Sequence, residues 1–327
     1  TIGSGVLLDA SATKKGNGGT IVAWSDVKNP IGFTKVEGKL KSRGGKVGGN
    51  GGQIETSGAY LDVDKASIDV GSSFGKAGSW LLDPYNYIIT NTSKLSLENA
   101  LLNGANVHIQ TTEPSNPLIN SCDISQNCIS NNGDFGFIEF RTDLDYSSGS
   151  GLLRMTANKT IEIFENHTIK TGSGGLELNA PNGLIGLGKI IVDEDNPSST
   201  ASFSITQNRD SVFEGVISGN GRLIKKGSGE LTLNGANTFT AETSVQGGIL
   251  TVNSSLPNTA NCSGGSSNLC TSSESTTSTA ASTSIIDQFN NTASSSAAFI
   301  PVSNPSVIPG AIVSGPSIGA SMGPSIG

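Results

Sequence analysis

Short runs in which apolar and polar residues alternate recur along the chain, each closed by glycine, asparagine or serine. In the first 70 residues they are Gly19–Trp24, Gly38–Ser42, Gln53–Thr56, Tyr60–Val63 and Ser67–Val70. A period of two marks strands with one buried face. Between them, Arg43–Gly52 is dense in glycine and reads as tight turns that use positive φ. One segment departs from this rhythm. Thr92 or Ser93 is placed to cap a helix, Leu95, Leu97, Ala100, Leu101 and Leu102 supply its apolar content, and Gly104 stands where a C′ glycine ends it.

Strands resume at Val107–Gln110, Phe137–Phe140, Thr160–Phe164, Leu176–Leu178, Ile190–Val192 and Phe203–Thr206. Sandwich turns recur every ~8–12 residues. Here the interval is wider and irregular, and an Asn/Ser/Gly-rich loop from Glu113 to Asp134 interrupts the series without ending it. The pattern predicts an all-β solenoid whose coils bury their inward side chains against the coils above and below. Past Asn253 the chain turns to Ser/Thr/Ala and then Pro/Gly/Ser, which buries too little to offset the entropy of ordering. The expected organisation is 1–90 and 91–211 as coils, the latter with lateral loops and one short lateral helix, 212–253 as a more regular β segment, and 254–327 as a disordered low-complexity tail.

Composition sharpens this picture. Glycine accounts for 43 of 327 residues, charged residues for 14% and aromatics for 5%, so the corners of coils are abundant and a dense enzyme core is not indicated. Net charge is −7. Only Lys35 to Lys46 is locally basic, so a phosphate-neutralising stripe is missing and nucleic acid is not an expected partner. Apolar runs are too short for a spanning helix, which needs ~20 residues. Four cysteines fall as two close pairs, Cys122 with Cys128 and Cys262 with Cys270, in Ser/Asn-rich segments that read as loops. Their spacing lacks the short zinc pattern and no histidine is near, so local disulfides in an oxidising compartment are the preferred reading.

Two stretches resemble known families. Asp9-Ala-Ser-Ala-Thr-Lys-Lys-Gly-Asn-Gly-Gly-Thr-Ile-Val-Ala-Trp24, Ser42-Arg-Gly-Gly45, Gly48-Gly-Asn-Gly-Gly-Gln-Ile-Glu-Thr-Ser-Gly58 and Gly78-Ser-Trp-Leu-Leu-Asp-Pro-Tyr85 resemble the filamentous-haemagglutinin-like exoproteins of Gram-negative bacteria. Val212–Val252, with Gly227-Ser-Gly-Glu-Leu-Thr-Leu-Asn-Gly-Ala-Asn-Thr-Phe239 and Gly247-Gly-Ile-Leu-Thr-Val252, is similar to the passenger-associated repeat of autotransporters. Both resemblances imply a right-handed parallel β-helix at the cell surface. The first implies export through an outer-membrane partner transporter in two-partner secretion, and a distal position in the shaft, because the secretion domain of such exoproteins has no counterpart in this sequence. Paired cysteines near the C-terminus of some large adhesins of this class imply a retention role for Cys262 and Cys270.

A β-helix lyase or hydrolase needs clustered carboxylates. Asp62, Asp64 and Asp69 alternate with apolar residues and read as solvated faces, whereas Asp193, Glu194 and Asp195 read as an acidic turn. His108 and His167 have no ligand-spaced neighbours. Gly71–Ala77 is too short for a phosphate loop and ends in Ala, and Gly44–Gly52 lacks the aspartate of a calcium nonapeptide. Asn-x-Ser/Thr sequons stand at Asn91, Asn158, Asn166, Asn253, Asn261 and Asn290. No catalytic, cofactor or metal set is assigned. The expectation is a non-enzymatic adhesin shaft that contacts host cell-surface or matrix ligands through lateral loops. The alternatives are a β-helix polysaccharide lyase or hydrolase and a haem-scavenging exoprotein.

Overall fold

The computed structural model describes residues 1–27, 29, 31–112 and 135–253, and in backbone alone 262–264 and 269–272. These belong to one unit, Thr1–Thr276. The Glu113–Asp134 loop, Cys122, Cys128 and residues 273–327 lie outside the described residues.

The chain winds as a parallel β-helix with three faces. Every ladder between its strands is parallel. The longest face is a ten-stranded sheet that runs through Thr20–Trp24, Gln53–Ser57, Ser79–Asp83, Asn106–Gln110, Leu153–Thr156, Leu176–Asn179, Ser202–Thr206, Arg222–Lys226, Thr243–Val245 and Cys262–Gly264. A second face carries an eight-stranded sheet from Tyr87–Ile89 through Ile138–Phe140 and Thr160–Ile163 to Leu269–Ser272. The third face holds Leu7–Asp9, Lys39–Lys41 and Ser67–Asp69 and then, after a gap, Leu144–Tyr146, Thr168–Thr171, Lys189–Val192 and Val216–Gly219.

The helix, Ser93–Leu102, fills that gap. It packs against Ser67–Asp69 on one side and Leu144–Tyr146 on the other, so one coil substitutes helix for strand. Leu97, Ala100 and Leu101, spaced three and four apart, are fully buried in the shared core. Polar side chains take over bonds that a strand would have made to its neighbours. Ser96 Oγ donates to the Val63 carbonyl at 2.8 Å, and the Glu98 carboxylate accepts the Asp145 N–H at 2.9 Å. At the helix start Thr92 makes no side-chain cap. Instead Thr90 and Ser93 bond reciprocally, the Thr90 N–H to Ser93 Oγ at 2.9 Å and the Ser93 N–H to Thr90 Oγ1 at 3.4 Å. Gly104, with φ of 83°, closes the other end and donates to the Leu101 carbonyl at 2.9 Å.

The core is a set of stacked rows set by strand register. In the long sheet Ile54, Trp80, Val107, Leu153, Leu176, Phe203 and Leu223 succeed one another coil by coil, all buried. Burial of each such side chain is worth about 1.5–3 kcal/mol. Two-residue alternation along the strands follows from this: the same strands that supply the rows turn polar residues outward. The corners are set by close approach. A Cβ on Gly215 would run into the Gly188 carbonyl and the Phe213 ring, and one on Gly235 into the Gly215 carbonyl. Within Arg43–Gly52 only Gly48 and Gly49 take positive φ.

The coil stack continues past residue 253, the boundary expected from composition. Cys262 lies on the last strand of the long sheet and Cys270 on the last strand of the eight-stranded sheet. The loop expected around this pair is therefore strand at both cysteines, because each continues a ladder already built by the coil before. Their side chains, and with them the expected disulfides, lie outside the described residues.

Candidate functional site

The outward face of the long sheet contains a groove of about 390 Å3. Its geometry comes directly from register. Glu55, Leu81, His108 and Arg154 stand in one outward row on four successive strands, and Leu81 is short between longer neighbours, which leaves a depression. Gln53 and Asn106 add amide edges beside it.

The groove's charges are unevenly answered. Arg154 Nε donates to Glu177 Oε2 at 2.6 Å, one coil further on. His108 Nε2 lies 3.0 Å from Thr156 Oγ1, and burial, with Arg154 adding to it, holds the imidazole below its usual pKa and so neutral at pH 7. Glu55 accepts a hydrogen bond from Ser57 Oγ at 3.0 Å. Among the described residues no ion pair reaches it. Nearby Asp83 accepts from Thr112 Oγ1 at 2.7 Å, and burial and then the Glu55 charge push its carboxyl up. On the adjoining edge strand, Val22 pairs in register with Glu55 and Trp24 with Ser57, and Trp24 is 62% exposed.

A second cluster lies on the outer surface of the eight-stranded sheet. Glu139 and Glu162 are register partners on adjacent coils. Arg141 donates to Glu139 through Nε at 2.8 Å, pairs with it through a terminal nitrogen at 2.7 Å, and stacks its guanidinium 5.1 Å from the Phe164 ring. Burial raises both glutamate pKa values. No spacing in the sequence announces this pair, which lies 23 residues apart; only strand register joins it.

The acidic and histidine residues prominent in the sequence are dispersed over the coils. Asp62 pairs with Lys35 at 3.2 Å, and Lys35 also reaches Glu37, which Lys65 shares. Asp69 pairs with Arg43 at 2.6 Å on another face. Asp64 is half-buried and its pKa is raised by desolvation. Asp193 is buried with φ of 48° and accepts from Ser199 and Asn196, whereas Glu194 and Asp195 pair outward with Lys170. His167 Nδ1 lies 3.9 Å from Asp143, and the two histidines are not brought together. Gly71–Ala77 is a turn in which Ser72 Oγ accepts the Gly75 N–H at 2.8 Å.

One buried group escaped the sequence reading. Lys225 occupies an inward row position between Ile205 and Val245 and has no exposed surface. Its Nζ donates to the carbonyls of Lys226, Gly227 and Gly247 at 2.7, 3.2 and 3.3 Å.

Lys225 sits within the most regular part of the stack. There, side-chain bonds link residues one coil apart: Asn234 Nδ2 donates to Glu214, and Asn253 Nδ2 to Asn234, at separations of 20 and 19 residues. Asn237, nearly fully buried, accepts the Ile217 N–H at 2.8 Å and donates to the Gly235 carbonyl at 2.7 Å. The Asn-Gly-Ala-Asn-Thr-Phe run thus builds a corner: Gly235 permits the turn, Asn237 replaces a backbone partner and Phe239 enters the core. The family model of the passenger-associated-transport-repeat matches residues 223–252, which include this corner. No curated protein matches the chain. The chain therefore carries an autotransporter-like passenger repeat within a parallel β-helix, and that repeat implies a secreted or surface-exposed protein.

Proposed function

We propose that the protein is the shaft of a secreted bacterial surface adhesin, exported across the outer membrane with the help of a partner transporter and attaching to host cell-surface or matrix ligands through its lateral surface. The observation that carries this reading is the passenger repeat at 223–252 set in register within one coil stack. A rigid solenoid presents its outward side chains at the coil spacing of about 4.8 Å over a long distance, which suits attachment. The haemagglutinin-like first 90 residues support the two-partner route. The test is binding of the purified chain to host-cell and matrix preparations beside the intact exoprotein; an intact exoprotein that binds while this chain binds none of them refutes the reading.

The Glu139–Glu162 pair favours a second reading, a glycoside hydrolase. Retaining enzymes hold two carboxyl groups about 5–5.5 Å apart, and residues in register on neighbouring strands are separated by about 4.8 Å. Release of reducing ends from a polysaccharide panel, abolished in Glu162→Gln, would support it. No release across the panel would remove it.

A further inference from the structure

We propose that the groove on the long sheet binds an extended, basic peptide segment of the partner, with Glu55 receiving a lysine or arginine side chain and Leu81 seating the apolar residue beside it. This names the partner class for the attachment described above and rests on that reading.

Of the groove's ionisable groups, Arg154 is engaged by Glu177 and His108 is bonded to Thr156. Glu55 has no cation across from it among the described residues, and Asp83, outside the lining at the end of the strand that carries Leu81, is near enough for its charge to interact with that of Glu55. The Glu55 end of the groove is thus locally negative, the Arg154 charge at the other end being answered by Glu177, and on a chain of net charge −7 it favours a cationic side chain there and steers it on approach.

Surface chemistry selects a peptide over a glycan. The floor is Leu81, and the flanking edge strand exposes Val22 and Trp24. Aliphatic surface beside a carboxylate matches the alternation of apolar and basic side chains along an extended peptide. Trp24 adds a ring face for a cation. The size agrees: from Gln53 to Arg154 is three strand steps, about 14 Å at ~4.8 Å each, the reach of four or five residues at ~3.3 Å. The groove's volume lies within the roughly 300–1,000 Å3 typical of ligand sites.

The test uses the whole chain and fluorescence anisotropy with three labelled probes: a pentapeptide of alternating lysine and leucine, one of alternating glutamate and leucine, and a neutral oligosaccharide. Binding to matrix preparations is measured in parallel. The basic peptide is expected to bind, to weaken at least fivefold in Glu55→Gln and tenfold in Leu81→Lys, and to be unaffected by Asp195→Asn. Both groove positions face outward, so folding is retained, and circular dichroism checks it. Equal binding of the acidic peptide, preference for the oligosaccharide, or affinity unchanged in both groove variants would overturn the proposal. Matrix binding that persists in both groove variants would overturn it while leaving the attachment reading intact. Peptide binding without any matrix binding would uphold the groove and remove that reading.

Discussion

Lys225 is where the regular rows of the core are broken. A primary amine takes a place that Ile205 and Val245 fill in the neighbouring coils, and three carbonyls do not fully replace its hydration, so desolvation lowers its pKa from 10.5 to about 8. Below about pH 8 the amine is charged in folded and unfolded chain alike, and the cost of burying it is paid in full. Above that pH the folded chain releases the proton while the unfolded chain keeps it, so stability rises with pH. The window closes near pH ~10, where tyrosines ionise in the unfolded chain while burial keeps Tyr87 and Tyr146 neutral in the fold. Urea midpoints are therefore expected to be higher at pH 9.5 than at 7.5, by a gain on the order of 2 kcal/mol. Lys225→Met should abolish the rise while changing stability at pH 7.5 by no more than about 1 kcal/mol, since an apolar side chain of similar length replaces a buried charge at little net cost. A rise that persists in Lys225→Met would assign it to another group.

At the level of elements, the corners are more constrained than the strands. Gly215 does not have positive φ, so its need for glycine is the approach of the Gly188 carbonyl and Phe213 ring rather than backbone strain. Gly215→Ala is expected to cost roughly 2 kcal/mol or more. Gly3→Ala, where nothing lies within 4 Å, should leave the thermal midpoint unchanged; equal effects at the two sites would show that crowding is not the cause. This difference also marks what could be read in advance. Runs with clean alternation, such as Gln53–Thr56 and Ser67–Asp69, were legible because one face is buried and the other wet. Tyr87–Ile89 is buried at all three residues and Gly183–Gly186 begins and ends in glycine, so neither carries a period. The helix was legible from its apolar spacing and Gly104, but its position in line with strands was not, since that depends on Ser96 and Glu98 meeting coils 33 and 47 residues away. The groove and the Glu139–Glu162 pair were hidden for the same reason: register across coils, rather than spacing along the chain, brings their members together.

For the whole molecule, this dependence on neighbouring coils has an energetic consequence. Each row residue touches mainly the residues above and below it, so stability is close to a sum of coil and interface contributions, and damage spreads only a short way. The passenger repeat illustrates the coupling, because Glu230 to Leu233 pairs with Ser211–Phe213 on one side and Ile249–Val252 on the other. Leu250 is fully buried in that last strand, and Leu250→Ala removes about 2–5 kcal/mol of packing. In a globular core such a loss would lower protection everywhere at once. Here hydrogen exchange followed by mass spectrometry is expected to show faster exchange in residues 211–252 and unchanged protection in Gln53–Ser57 and Ser79–Asp83, seven and six coils from Leu250 along the stack. Uniform loss of protection from Thr20 to Val252 would instead show that the coils unfold as one cooperative unit. The groove lies at the distant end, so local behaviour also predicts that the same substitution leaves the basic-peptide affinity of the Glu55 site unaltered, and the two measurements together separate a shaft that merely carries its binding surface from one whose whole length is needed to hold it in shape.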